Sequence, residues 1–160
     1  MDPERRELNI FVVGECGVGK TSLLERYIRG DFTQRYSSTL AMETFQKDAW
    51  DKNRKIRFQL WDTSGHERMN LFSPSLLQSV DGVVYVYDVK SFDSFESLKK
   101  RRQKFLQQLA VEVPEKIPAI VVGNKIDEEC GRYAQVDDAY VKKFCCANGA
   151  MPFFEWLLNM

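Results

Sequence analysis

The stretch Gly14-Glu15-Cys16-Gly17-Val18-Gly19-Lys20-Thr21 places three glycines, a lysine and a threonine between two segments of different character. Before it, residues 8–13 (LNIFVV) form a short apolar run that is typical of a buried strand. After it, apolar residues recur at helical spacing, at Leu23, Leu24, Tyr27 and Ile28. Gly30 then stands where a helix commonly ends. The pattern predicts a strand, a glycine loop and a helix, in that order.

A glycine loop between a strand and a helix is suited to hold a phosphate group. Glycines let the backbone fold so tightly that several N–H groups point at one anion, and the helix N-terminus adds the positive end of its dipole. In this arrangement Lys20 reaches the β- and γ-phosphates of a nucleotide, and the Thr21 hydroxyl binds Mg²⁺. The alternative is a plain glycine turn, which the pair Lys20-Thr21 disfavours. We therefore predict a phosphate-binding loop made of Gly14, Glu15, Cys16, Gly17, Val18, Gly19, Lys20, Thr21 and Ser22.

The length and composition are those of one globular domain. At 160 residues the chain is long enough to bury about 70% of its unfolded surface. Its 23 basic and 23 acidic residues cancel, so net charge gives no argument for nucleic acid or an anionic membrane as partner. No apolar run reaches the length of a membrane span, and the charged N-terminus lacks the apolar core of a signal peptide. We expect a soluble, cytoplasmic protein with one domain over residues 1–160.

The cysteines show neither a metal-ligand spacing nor a disulfide framework, which fits a reducing compartment. They stand at Cys16, Cys130, Cys145 and Cys146. The adjacent pair lies near the end of the sequence, but the last four residues, 157–160 (LLNM), are not a lipidation box. The pair is interpreted as ordinary helix residues. Attachment to a membrane surface is therefore expected only for a longer form with a lipidated tail.

Strand-like and helix-like segments alternate along the rest of the chain. Besides residues 8–13, five segments are predicted as strands: 41–50, 55–61, 82–88, 117–123 and 151–155. Residues 91–109 and 136–147 are predicted as helices. This alternation predicts an α/β fold with a mostly parallel six-stranded sheet and helices on both faces. The hairpin formed by 41–50 and 55–61 predicts one antiparallel edge strand.

A second set of residues suits a metal ion and a terminal phosphate. Asp62 follows a strand directly, at the sheet edge where parallel α/β proteins bind ligands. Its carboxylate suits the outer coordination shell of Mg²⁺, and Gly65 offers a backbone N–H to a γ-phosphate. Thr39 ends a polar, irregular segment and is predicted as a further Mg²⁺ ligand, present only while that phosphate is bound. The predicted metal ligands are therefore Thr21, Thr39 and Asp62.

The segment Asn124-Lys125-Ile126-Asp127 identifies the base. A carboxylate such as that of Asp127 accepts two hydrogen bonds from the N1–H and 2-amino groups of guanine, and adenine offers neither in that place. Asn124 suits the N7 side of guanine, and the aliphatic stem of Lys125 suits the plane of the base. A P-loop kinase for a small substrate is disfavoured, because this segment would have no role in it. The sequence predicts a guanine nucleotide.

These motifs resemble those of the small Ras-like GTPases, and within them the Rab family most closely. Residues 61–68 (WDTSGHER) are similar to the family's WDTAGQER, residues 87–89 (YDV) with Ser94-Phe95 to its YDVT…SF, and residues 123–127 (GNKID) to its GNKxD. The resemblance extends from about residue 8 to residue 155. It implies the P-loop NTPase fold, with GTP or GDP and Mg²⁺ as cofactors.

The resemblance also implies a switch with particular contacts. GTP orders the loops that contain Thr39 and Gly65, and hydrolysis releases them. Phe32 matches the aromatic residue at the edge of the guanine, and Leu158 offers a backbone N–H where the family's last loop contacts the base. Effectors, exchange factors and GTPase-activating proteins would bind residues 39–45, Trp61 and residues 65–77. The implied process is vesicle traffic or a related regulatory step.

Two departures from the family pattern change the expected activity. His66 stands in place of the water-orienting glutamine and, with Lys20, is the predicted catalytic residue; its shorter, rigid imidazole predicts slow hydrolysis. Residues 156–159 (WLLN) stand where T-S-A-K is expected, and the final helix and prenylated tail are missing from residues 1–160. We expect this to leave an apolar face bare, with possible association through it. The alternative function is a non-hydrolysing pseudo-GTPase that serves as an interaction platform.

Overall fold

The computed structural model describes residues 6–30, 42–63, 73–109, 117–126 and 135–153. Within them the strands are β1 Arg6–Gly14, β2 Glu43–Asp51, β3 Arg54–Asp62, β4 Val80–Asp88, β5 Ala119–Asn124 and β6 Ala150–Phe153. The helices are α1 Lys20–Arg29, α2 Pro74–Gln78, α3 Phe92–Gln108 and α4 Asp138–Ala147. None of the helices in these ranges is long and apolar enough to cross a membrane.

The strands form one sheet in the order β2-β3-β1-β4-β5-β6. β1 pairs in parallel with β3 on one side and with β4 on the other, and β5 and β6 continue the parallel part. β2 pairs with β3 in antiparallel register and lies at the edge. The predicted six-stranded, mostly parallel sheet with one antiparallel edge strand is confirmed. All parallel strands point the same way, so their carboxyl ends meet along one edge of the sheet.

Helices cover both faces of this sheet, as the alternation of strands and helices predicts. Phe11 and Val13 of β1 belong to a core shared with α3 and α4, in which Phe95, Leu98 and Phe105 are fully buried. Val12, the residue between them, points to the other face and packs in a second core with Leu24 of α1. This alternation follows from the strand geometry, in which successive side chains point to opposite sides.

An apolar groove of about 290 Å³ lies on the second face, beside α1. Its walls come from α1 and from four strands, and its lining is almost entirely hydrocarbon. The residues that line it are Ile10, Val12, Leu23, Leu24, Tyr27, Phe58, Leu60, Val84, Ile120 and Val122. The rim residue Tyr27 is 41% exposed, so hydrophobic surface at this place faces solvent.

Most boundaries of the predicted elements differ from the described ones by one or two residues, and β1, α2 and β6 show the reasons. β1 begins at Arg6 rather than residue 8, because pairing of its backbone with Ile56 of β3 does not require apolar side chains. α2 was not predicted, since five residues are too few for a helical period; Ser73 accepts a hydrogen bond from the N–H of Leu76, and Pro74 occupies its first turn. β6 is described as Ala150–Phe153, and the predicted strand residues 154–155 lie outside the described ranges.

The core under α3 depends on Phe95, which packs edge-on against Tyr87 and Phe144. We expect Phe95→Ala to lower the free energy of unfolding by about 3–5 kcal/mol, because a fully buried ring is replaced by a cavity. Chemical denaturation followed by circular dichroism measures this loss. The matched control is Met151→Ala, whose side chain is 66% exposed, and equal losses for the two variants would contradict the assignment of the core.

Candidate functional site

The glycine loop joins the end of β1 to the start of α1, as predicted, and two of its glycines are required by close contacts. A Cβ atom on Gly14 would collide with the carbonyl oxygen of Val86 in β4. Gly19 has a φ of +90°, in the left-handed region, and a Cβ there would collide with the side-chain amide of Asn124. Neighbouring elements therefore press on the loop from two sides. A side chain at either position would push the loop away from the sheet.

Lys20 folds back over the loop that precedes it. Its Nζ donates hydrogen bonds to the carbonyl oxygens of Gly14 and Glu15, at 3.1 and 2.9 Å. Only 6% of the residue is exposed, and this burial lowers the pKa of Lys20, an effect that the nearby Asp62 carboxylate opposes. The lysine therefore places a buried positive charge at the carboxyl edge of the sheet, next to backbone N–H groups of the loop and of α1.

Asp62 ends β3 beside the first turn of α1. Thr21 donates a hydrogen bond from Oγ1 to Oδ2 of Asp62 at 2.5 Å, across 41 residues of sequence. The other carboxylate oxygen, Oδ1, is buried and has no hydrogen-bond partner among the described residues. Burial raises the pKa of Asp62, while the hydrogen bond from Thr21 and the charge of Lys20 act in the opposite direction. A buried carboxylate oxygen of this kind suits a hard cation.

Thr63 fixes the end of the strand that carries Asp62. Its backbone N–H and its side-chain hydroxyl both donate to the carbonyl oxygen of Val12, at 3.3 and 2.7 Å. Val12 is itself paired with Asp62 in the parallel register of β1 and β3. The carboxylate therefore sits on a strand end that cannot move independently of the strand that leads into the loop.

Asn124, at the end of β5, braces the loop from the opposite side. Its Nδ2 donates to the carbonyl oxygens of Val18 and Gly19, at 2.8 and 3.4 Å. The contact joins residues separated by 106 positions in the sequence. The amide proposed to recognise the base thus also holds the loop that is predicted to bind the phosphates.

A profile of the Ras family matches residues 9–157 of the chain. The chain is 36% identical to the GTP-binding protein YPTC5 of Chlamydomonas reinhardtii over 152 residues, which are 95% of this chain and 74% of the relative. It is likewise 36% identical to the Ras-related proteins RABG3f of Arabidopsis thaliana and Rab7 of Pisum sativum, in each case over 155 residues, 96% of this chain and 75% of the relative.

The chain belongs to the Ras family. The resemblance to Rab proteins is confirmed, and with it the class of GTP-binding switches. GTP or GDP and Mg²⁺ are the cofactors of this family, and the described residues fit them. The buried Oδ1 of Asp62 and the adjacent Thr21 hydroxyl are oxygen atoms of the kind that divalent cations prefer, and Lys20 and the loop amides suit phosphate.

Several predicted site residues of this Ras-family chain lie outside the described residues, and their roles stay predictions. They are Phe32, Thr39, Gly65, His66, Asp127 and Leu158. The described remainder of the loop is in place: Val18 is buried in the second core, Cys16 is partly exposed, and Ser22 lies in the first turn of α1. Lys125 is exposed and has a φ of +67°.

One charged residue at this edge was not predicted from the sequence. Asp88 ends β4, and its Oδ2 lies 2.7 Å from Nζ of Lys125, in the segment predicted to bind the base. The available signal was positional: Asp88, like Asp62 and Asn124, ends a parallel strand, and such residues gather at one edge of the sheet. Asp88 is part of residues 87–89 (YDV), which resemble a Rab motif, but no role could be assigned to it from the sequence alone.

We expect Asn124→Ala to accelerate release of a fluorescent guanine nucleotide by about five- to a hundredfold. The reason is that the carbonyl groups of Val18 and Gly19 lose a buried donor, a loss that typically costs 1–3 kcal/mol. Stopped-flow fluorescence with excess unlabelled nucleotide measures the rate. Asn53→Ala, in the exposed turn between β2 and β3, is the matched control. Release rates equal to those of the control would show that the hydrogen bonds from Asn124 to the glycine loop do not affect nucleotide release.

Proposed function

We propose that this chain is a Rab-like molecular switch that hydrolyses GTP slowly and acts in vesicle traffic or a related regulatory step. The observation that carries the proposal is the pair Thr21–Asp62, which leaves a buried carboxylate oxygen next to Lys20 and the glycine loop. This constellation is what a phosphate-bound Mg²⁺ requires, and membership of the Ras family supports guanine as the base.

In the proposed reaction, residues of the chain bind and orient the nucleotide. Lys20 and the loop N–H groups stabilise negative charge on the phosphates, while Thr21, Thr39 and Asp62 hold the cation. Mg²⁺, when bound, neutralises charge on the phosphate oxygens. His66 orients the attacking water, and the shorter reach of its imidazole makes the step slow.

We expect His66→Gln to raise the single-turnover rate of GTP hydrolysis, because a glutamine restores the flexible amide that orients water in the family. The measurement loads the protein with GTP, adds Mg²⁺ and follows phosphate release. Lys143→Gln, an exposed position on α4, is the control for the substitution itself. A slower His66→Gln variant would refute the proposal that histidine limits the rate.

The second candidate function is a non-hydrolysing pseudo-GTPase that acts as an interaction platform. It is favoured by His66 and by residues 156–159, which replace the family's T-S-A-K. Extracting the purified protein and identifying its nucleotide by chromatography separates the candidates. Bound GDP supports a cycling switch, bound GTP supports a blocked switch, and no nucleotide supports the platform.

Protein partners are proposed to read the surface formed by residues 39–45, Trp61 and residues 65–77. Of this surface the structure describes residues 42–45, Trp61 and residues 73–77. Trp61 is held in one orientation, because its ring stacks on Phe11 at 5.8 Å and its Nε1 donates to Oδ1 of Asn9 at 3.0 Å. A fixed, half-buried tryptophan is a suitable anchor for an effector, an exchange factor or a GTPase-activating protein. We propose a cytoplasmic location.

A further proposed contact is association through the apolar groove beside α1. Its lining of hydrocarbon side chains and the exposed ring of Tyr27 support this, since apolar surface of this kind favours contact with another molecule over contact with water. Residues 1–160 alone are therefore proposed to be marginally stable or to self-associate.

We expect Ile120→Glu to shift residues 1–160 towards the monomer, because a carboxylate in the groove must stay hydrated. Sedimentation velocity over a range of concentrations measures the association. Trp50→Glu is the matched control, since Trp50 is 68% exposed and does not line the groove. If the unsubstituted protein is a monodisperse monomer with a high melting temperature, the proposal is wrong.

A further inference from the structure

Asp88 is held by both of its carboxylate oxygens at the edge of the sheet. Oδ1 accepts a hydrogen bond from the backbone N–H of Lys90 at 2.9 Å, and Oδ2 lies 2.7 Å from Nζ of Lys125. The Asp88 side chain is only 16% exposed, whereas that of Lys125 is 42% exposed. The aspartate is therefore the fixed partner of this ion pair, and the lysine is the partner that is being held.

The first turn of α3 fixes the backbone of Asp88. The hydroxyl of Ser94, a buried residue, accepts a hydrogen bond from the N–H of Asp88 at 3.0 Å and lies 2.8 Å from the carbonyl oxygen of Ser91. The N–H of Ser91 in turn donates to the carbonyl oxygen of Asp88 at 2.9 Å. The position of the carboxylate is thus set by the cap of a 17-residue helix rather than by a flexible loop.

The backbone at Lys125 is fixed, but it does not by itself select one conformation of the long side chain. Its φ of +67° is unusual for a residue with a Cβ, and the preceding residue is tied on both sides: its side chain bonds to the glycine loop, and its carbonyl oxygen accepts from the N–H of Val89 at 3.1 Å. The long side chain beyond that fixed backbone has four rotatable bonds, and ordering it costs conformational entropy.

We propose that Asp88 is a positioning residue for the guanine base: it holds the Lys125 side chain in one extended arrangement before the nucleotide binds. This proposal rests on the proposed binding of a guanine nucleotide by Asn124, Lys125 and Asp127. With the ammonium group anchored on Asp88, the methylene stem of Lys125 is presented as a preformed apolar surface. The side chain then loses its conformational freedom during folding instead of on binding, which tightens nucleotide binding. Differences in affinity among variants of one site lie mostly in the rate of release, so release is expected to be slower.

A purely structural role for Asp88 is the competing explanation, since its Oδ1 also shapes the turn between β4 and α3 through Lys90. The two roles differ in their dependence on Lys125. A positioning role acts through the ammonium group and vanishes when that group is removed. A structural role in the turn is independent of the lysine side chain.

The experiment is a double-mutant cycle on release of a fluorescent GDP from the full chain. The variants are Asp88→Asn, Asp88→Ala, Lys125→Met and the two corresponding double variants; methionine keeps an unbranched apolar stem and removes the charge. We expect both Asp88 variants to accelerate release about two- to tenfold when Lys125 is present, and to have no further effect in the Lys125→Met background. Asp93→Asn, an exposed acidic residue in the first turn of α3, should release at the unsubstituted rate.

Three outcomes would overturn the proposal: an Asp88→Asn variant that releases nucleotide at the unsubstituted rate, equal acceleration with and without Lys125, or equal acceleration by Asp93→Asn. The proposed function is tested separately by the unsubstituted chain. If it binds no fluorescent GDP, the guanine-nucleotide function fails and the positioning role with it. If it binds GDP normally and the cycle shows no coupling, only the positioning role is wrong.

Discussion

The site depends on the parallel pairing of β1 with β3 on one side and β4 on the other. This register places Val12 beside both Asp62 and Val84, and Gly14 beside Val86, so that the glycine loop emerges between two strand ends. Because all these strands run in the same direction, the loop, Asp62 and Asp88 share one edge of the sheet. If β3 slipped by one residue, Asp62 would turn to the opposite face of the sheet. If β1 slipped by one residue, Val12 would occupy the place where Phe11 is buried.

The same register brings the opposite charges of Lys20 and Asp62 together where both side chains are shielded from solvent. Lys20 and Asp62 are both buried, and burial favours the neutral form of each side chain. It therefore lowers the pKa of the lysine and raises the pKa of the aspartate. Their mutual attraction and the hydrogen bond from Thr21 offset part of this cost. The partnerless Oδ1 of Asp62 shows that the described residues alone do not complete the site. A divalent cation and phosphate groups, which members of the Ras family bind, would suit this site.

Much of the fold could be predicted from the sequence, because strong local signals mark its elements. The run of apolar residues before Gly14 marks β1, and the helix predicted at residues 91–109 corresponds to α3. α2 was missed because a five-residue helix has no period to detect. A role for Asp88 was not predicted, because its position at a strand end does not show that its carboxylate contacts Lys125.

The sequence by itself determined the family, the order along the chain of the six strands and of α1, α3 and α4, and the chemical groups available to a guanine nucleotide and Mg²⁺. These properties are encoded in short contiguous motifs, where residue type and spacing are sufficient. Only the tertiary structure decided that Asn124 bonds to the glycine loop, that Asp88 holds Lys125, that one oxygen of Asp62 lacks a described partner, and that a groove lies beside α1. Each of these depends on contacts between residues far apart in the sequence, and such contacts are set by strand register and packing rather than by local periodicity.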